Sequence, residues 1–196
     1  NRQLPHGWAE SDTVGNAVVA LHLLFTVVVV IGGAVQLLPA VRRNWPALHR
    51  WNGRLYLGAA LVLAGGGLYM LATRRTVGDL PQKIAIVINA LMVFAFAAIA
   101  LRHAIARRVD AHRRWALRLY LVVSGVWFMR IALMLWVAIN RGPVGFDPDR
   151  FAGPALTAIA FGQTLVPLAI LELYLRARDR GGAGTRCAVA VLIGLC

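Results

Sequence analysis

The stretch HRWNGRLYL, residues 49–57, stands at the entrance of a long apolar run and returns as HRRWALRLYL at residues 112–121. Each copy carries a histidine, a tryptophan and the series Arg-Leu-Tyr-Leu in the same order, and the copies are offset by 63 to 65 residues. That offset equals one helical hairpin with its connection, so the repeat predicts a duplicated hairpin. The alternative is that two basic loops entering apolar helices resemble each other, since Arg, Trp and Tyr all favour the membrane interface.

The apolar residues occur in long blocks and make up 59% of the 196 residues. A bilayer core is crossed by about 20 residues of helix. The pattern therefore predicts an all-α integral membrane protein, a bundle of five transmembrane helices whose four-helix core is the duplicated hairpin. The predicted spans are residues 14–40, 55–73, 84–106, 119–139 and 152–176.

The ends of the chain are predicted to lie on opposite sides of the membrane. Residues 1–13 form an external tail and residues 177–196 a cytoplasmic tail, because Lys and Arg concentrate in the segments 41–54, 102–118 and 176–186. The apolar end of the second tail, residues 187–196, is too short to span and is either a truncated sixth helix or an interfacial segment. The net charge of +13 indicates contact with anionic lipids at the cytoplasmic face and not with nucleic acid.

The repeat predicts a pair of histidines at one depth. In an up-and-down bundle the second and fourth helices run parallel on a diagonal, so His49 and His112 are expected to face each other near the cytoplasmic surface.

A second polar group is predicted closer to the outer side. Counting 1.5 Å per residue from the outer ends of the spans puts four polar side chains roughly 12–17 Å inside the boundary. An arginine at such depth usually faces a bundle interior or a wet cavity. The four residues are His22, Asn89, Arg130 and Gln163.

The segments ALHLLF, GGAVQLLP, HRWNGRLYLGAALVLAGGGLYM and HRRWALRLYLVVSGVWFMRI resemble a family of predicted bacterial membrane proteins catalogued as a domain of unknown function. The resemblance runs from about His22 to Glu172 and implies a multi-pass protein of the bacterial cytoplasmic (inner) membrane. It supplies no activity. The positions that match the family are His22, His49, Gly53, Arg54, Tyr56, His112, Arg113, Trp115 and Arg130.

The chain also resembles, more weakly, the membrane b-type cytochromes, in which histidines of a helical bundle hold haem. Those proteins commonly use two pairs of histidines at two depths, whereas this chain offers one inner pair, so one haem b is expected. His49 and His112 would be the iron ligands, with His103 as the alternative. Arg54 and Arg113 would contribute a basic rim for the propionates, and Tyr56 and Tyr120 would line the site.

Two other functions stay open. The outer polar group suits a quinone or another amphipathic ligand, because histidine and arginine can hydrogen-bond a carbonyl or hold an anion. The small size and short loops equally suit a non-catalytic accessory or assembly subunit of a larger membrane complex, which would have no cofactor of its own. A redox partner is expected under the haem hypothesis.

Several enzyme classes are excluded by the sequence, and no catalytic residue is assigned. The glycine clusters GGAV and GGGL lie inside apolar runs, where glycine serves packing and not phosphate binding. No paired carboxylates and no Ser-His-Asp series stand out. Cys187 and Cys196 are the only cysteines and lack the spacing of a zinc site.

Overall fold

The computed structural model describes residues 12–73, 78–180, 182, 184 and 194, and within them all regular structure is helical. The predicted all-α class is therefore confirmed. The predicted N-terminal tail before residue 12 and the apolar run 187–196, apart from residue 194, lie outside the described residues. This described part of the chain holds seven helices in order: α1 (Thr13–Leu37), α2 (Pro39–Asn44), α3 (Pro46–Thr73), α4 (Leu80–Ile105), α5 (Val109–Val123), α6 (Gly125–Asn140) and α7 (Pro154–Arg180).

Four of these helices are long and apolar enough to cross a membrane, namely α1, α3, α4 and α7. A fifth span results if α5 and α6, which are separated only by Ser124, count as one broken crossing. The chain is thus an integral membrane protein with four or five candidate spans among its described residues.

Prolines set the boundaries around the first basic loop. Leu38 is extended because the following Pro39 disfavours helical backbone before it, so α1 ends at Leu37, short of the predicted residue 40. Pro46 is the first residue of α3, where its missing N–H costs nothing. As a result α3 begins well before residue 55, and the whole motif 49–57 is helical.

The second copy of the motif is also helical, but its helix is interrupted. Arg107 adopts a left-handed backbone conformation with φ 54°, which separates α4 from α5. Since α5 then runs from Val109 to Val123, the motif 112–121 lies entirely within it. The predicted span 119–139 therefore contains a break at Ser124 that the apolar pattern did not indicate.

The chain divides into two compact units at the boundary between Val123 and Ser124. In the first unit α1 packs on α3, α3 on α4, and α4 on α5. Small residues line these interfaces and let the helix backbones approach closely, as is common between membrane helices. The buried small residues include Gly32 and Gly33 in α1, Ala59, Ala60 and Ala64 in α3, and Ala85, Ala90, Ala97 and Ala100 in α4.

In the second unit α6 packs on α7. The loop between them is held by the Trp136 indole, whose Nε1 donates to the Val144 carbonyl at 2.8 Å. Asp147 and Ala152 form an isolated antiparallel bridge in the same loop. These contacts fix the turn that leads into α7.

Candidate cofactor site

The two copies of the motif share local geometry as well as sequence. In α3 the Arg54 guanidinium lies over the Trp51 ring, 4.9 Å from its centroid. In α5 Arg118 lies over Trp115 in the same way, at 4.8 Å. Both pairs are three residues apart, a spacing that makes side chains neighbours on a helix. Each copy thus builds the same cation–π pair near its histidine.

His49 lies in the first turns of α3, and its ring is half-buried. Its Nδ1 atom is buried and has no hydrogen-bond partner among the described residues. The approach of His49 to His112 across the unit stays a prediction.

His112 is held by a contact to the neighbouring helix. Its Nδ1 atom lies 2.9 Å from the carbonyl oxygen of Ala100 in α4. Because a carbonyl only accepts hydrogen bonds, Nδ1 carries the hydrogen, and Nε2 of the neutral ring keeps its lone pair. A hydrogen bond of this kind commonly orients histidines that bind metals.

The two tyrosines of the repeat meet on α1. A Cβ atom built on Gly33 would lie 2.8 Å from Cε2 of Tyr120 and 3.1 Å from Cε2 of Tyr56. Tyr56 is only 7% exposed, and its hydroxyl is buried without a partner in the described part of the chain. Both copies of the motif therefore converge on one position of the first helix.

Two side-chain amides join α1 to α3 beside this site. Gln36 Nε2 donates to the carbonyl of His49 at 2.8 Å, and Asn52 Nδ2 donates to the carbonyl of Gly32 at 2.8 Å. Neither Gln36 nor Asn52 is among the predicted site residues. Such bonds end on backbone carbonyls, which every residue has, so the residue type of the acceptor does not predict them. The only sequence signal for these bonds is the presence of glycines that leave room for the amides.

The predicted rim and alternative ligand lie around this end of the unit. Arg54 in α3 and Arg113 in α5 are both exposed, as a rim that contacts charged groups requires. His103 is half-buried in the last turn of α4. No group of three or more His, Cys, Asp or Glu side chains suited to a bare metal ion occurs in the described ranges.

The outer polar group is divided between the two units. In the first unit, His22 Nδ1 and Asn89 Oδ1 are both buried and lack partners among the residues described. In the second, the exposed Arg130 has its guanidinium 5.9 Å from the centre of the Trp127 ring. Gln163 is buried and donates to the Ala160 carbonyl at 3.0 Å. The grouping of all four residues stays a prediction.

Comparison with curated proteins and with solved structures finds no match to the chain. The resemblance to b-type cytochromes accordingly stays a prediction. Comparison with family models matches residues 19–174, which include both copies of the motif and every candidate site residue named above. Since this match spans most of the sequence, the chain belongs to the family described as predicted membrane protein (DUF2306).

Proposed function

We propose that the first unit binds one haem b between His49 and His112 and serves as an electron carrier in the membrane. The observation that carries this proposal is the bonding of the ring nitrogens in the two repeat histidines. His112 has a lone pair on Nε2 while its Nδ1 bonds the Ala100 carbonyl, and His49 has a buried Nδ1 without a partner in the described residues.

The residues around the pair fit a flat, largely apolar group with charged edges. Tyr56 and Tyr120 lie about two turns deeper than the histidines along α3 and α5 and supply aromatic walls. The exposed guanidiniums of Arg54 and Arg113 suit propionates at the water-facing edge. Two imidazoles are the axial ligand set of a low-spin haem, and the bound group would supply one-electron chemistry.

The test is the visible spectrum of the detergent-purified protein, oxidised and then reduced with dithionite, with a pyridine haemochrome assay. We expect a sharp reduced α-band and about one haem per chain. His49→Ala and His112→Ala should each abolish retention of the haem. His103→Ala is the matched control and should retain the haem, because the proposal assigns both axial positions to His49 and His112.

Two outcomes contradict this proposal. A colourless protein from cells amply supplied with haem would exclude it and favour the accessory-subunit function. Loss of haem in His22→Ala, with retention in His49→Ala and His112→Ala, would show that the ligand pair is wrong.

A second candidate function is the binding of a quinone head group near His22 and Asn89. It is favoured by their two buried polar atoms, which have no partner in the described residues, because a buried polar atom left unpaired costs about 1–3 kcal/mol. A quinone or quinol offers the carbonyl or hydroxyl that would satisfy such atoms.

Titration with a short-chain quinone, followed by tryptophan fluorescence, tests this second function. We expect His22→Ala and Asn89→Leu each to weaken binding by roughly tenfold, as the loss of one hydrogen bond to a buried group predicts. Equal affinity in both variants and in the unsubstituted protein would exclude a site at these residues.

A further inference from the structure

The contact between α1 and α3 is a reciprocal exchange of two hydrogen bonds. Gln36 on α1 donates to the His49 carbonyl on α3, and Asn52 on α3 donates to the Gly32 carbonyl on α1. Each helix thus offers one amide and one carbonyl. Two such bonds at 2.8 Å fix both the register and the rotation of the helices, because a shift of one residue would break both.

Two glycines make this exchange sterically feasible. A Cβ atom on Gly53 would lie 2.9 Å from Gln36 Nε2, and one on Gly32 would lie 3.1 Å from Asn52 Oδ1. Any larger residue at these positions would push the amides away from their carbonyls. Each amide therefore packs directly against the backbone of the opposite helix.

The two bonds differ in what they hold. The Asn52 bond ends on a glycine and fixes only the helices relative to each other. The Gln36 bond ends on the backbone of His49 itself. His112 obtains its orientation through its own ring, which bonds Ala100, whereas the Nδ1 atom of His49 has no partner in the residues described.

We propose that Gln36 is a positioning residue for His49: its amide holds the backbone from which the His49 imidazole reaches the cofactor. This role rests on the proposed haem function. In this proposal α1 contributes no axial ligand, but it determines the orientation of one of the two ligands. The two iron ligands are then oriented by different means, His112 by a ring contact and His49 by its backbone.

The matched pair of variants is Gln36→Met and Asn52→Leu. Each replaces an amide by an apolar side chain of similar shape and removes one of the two reciprocal bonds. A purely structural role predicts that both variants change the protein alike. A positioning role predicts that only Gln36→Met changes the environment of the haem.

Two readouts are measured on the haem-loaded protein: the transfer of haem to excess apomyoglobin and the low-spin ferric electron paramagnetic resonance spectrum, which depends on the orientation of the axial imidazoles. We expect Gln36→Met to accelerate haem loss by roughly tenfold, the low end of the effect of partners that orient metal ligands, and to shift the g-values. Asn52→Leu should match the unsubstituted protein in both.

Equal changes in the two variants, or an unchanged Gln36→Met protein, would overturn the positioning role and leave the haem proposal standing. A colourless unsubstituted protein would overturn both. If Gln36→Met does not accumulate in folded form, Gln36→Asn replaces it with the same expectation, because the shorter side chain keeps the amide and no longer reaches the His49 carbonyl.

Discussion

Gly33 in α1 is the residue against which both copies of the motif pack. Its backbone contacts the rings of Tyr56 and Tyr120, at distances that leave no room for a methyl group. Because tyrosine rings are rigid, neither ring can move away by rotating a flexible terminal group. An added side chain must displace one copy of the motif, or both.

Gly33→Ala is therefore expected to destabilise the protein by about 1–3 kcal/mol, the usual cost of overpacking a filled interior. Thermal unfolding in detergent, followed by circular dichroism, measures this. Gly58→Ala is the matched control, because Gly58 lies within α3 and a Cβ there meets nothing within 4 Å. The control should be neutral or stabilising by about 0.5–1 kcal/mol. Equal melting temperatures for Gly33→Ala and the unsubstituted protein would refute the tight contact.

At the scale of single residues, the sequence indicated candidate site residues and not the contacts that hold them. The spacing of the repeat predicts that His49 and His112 approach each other, and this stays a prediction. The contacts made through Ala100, Gln36 and Gly32 were not predicted, because all three bonds end on a backbone carbonyl, which every residue type has. Tertiary packing alone determines which carbonyl is within reach.

At the scale of helices, the apolar pattern located the membrane segments better than their ends. Hydropathy placed the second span at residue 55, where the arginines stop, but α3 begins at Pro46 because the interfacial residues before it are also helical. A polar segment can complete its backbone hydrogen bonds as a helix whether or not it enters the bilayer. Hydropathy therefore marks the edge of the membrane and not the edge of the helix.

The break at Ser124 was not predicted, for a different reason. The stretch LVVSGVWFMRI contains no proline and only one glycine, and its hydropathy is continuous. Helix interruptions without proline often arise at Gly and Ser pairs, and Ser124–Gly125 is such a pair. Because the repeat is otherwise regular, the predicted span 119–139 includes this pair without a break.

At the scale of the whole molecule, the number of crossings depends on α5 and α6. If they make one broken span, the described residues cross five times, so that the start of α1 and the end of α7 lie on opposite sides. The excess of Lys and Arg in segments 41–54, 102–118 and 176–186 favours this arrangement, because positive loops remain on the cytoplasmic side.

Reporter fusions measure this topology directly. Green fluorescent protein fused after Asp179 should fluoresce, and alkaline phosphatase fused there should be inactive, since that position is expected in the cytoplasm. Fused after Gly142, in the loop before α7, the two reporters should give the opposite result. The same result at both positions would mean that α7 does not cross the membrane, and inverted results at both would reverse the orientation.

The tryptophans of the first basic loop have a consequence for where electrons would enter and leave. Trp45 and Trp51 are each 63% exposed and stand on either side of His49 in sequence. Tryptophan favours the head-group layer, and four residues of helix span only about 6 Å. This spacing predicts that His49 lies at the rim of the bilayer. A haem bound there, as proposed, would have one edge within a few ångströms of water, close enough to exchange electrons with a soluble protein that never enters the lipid.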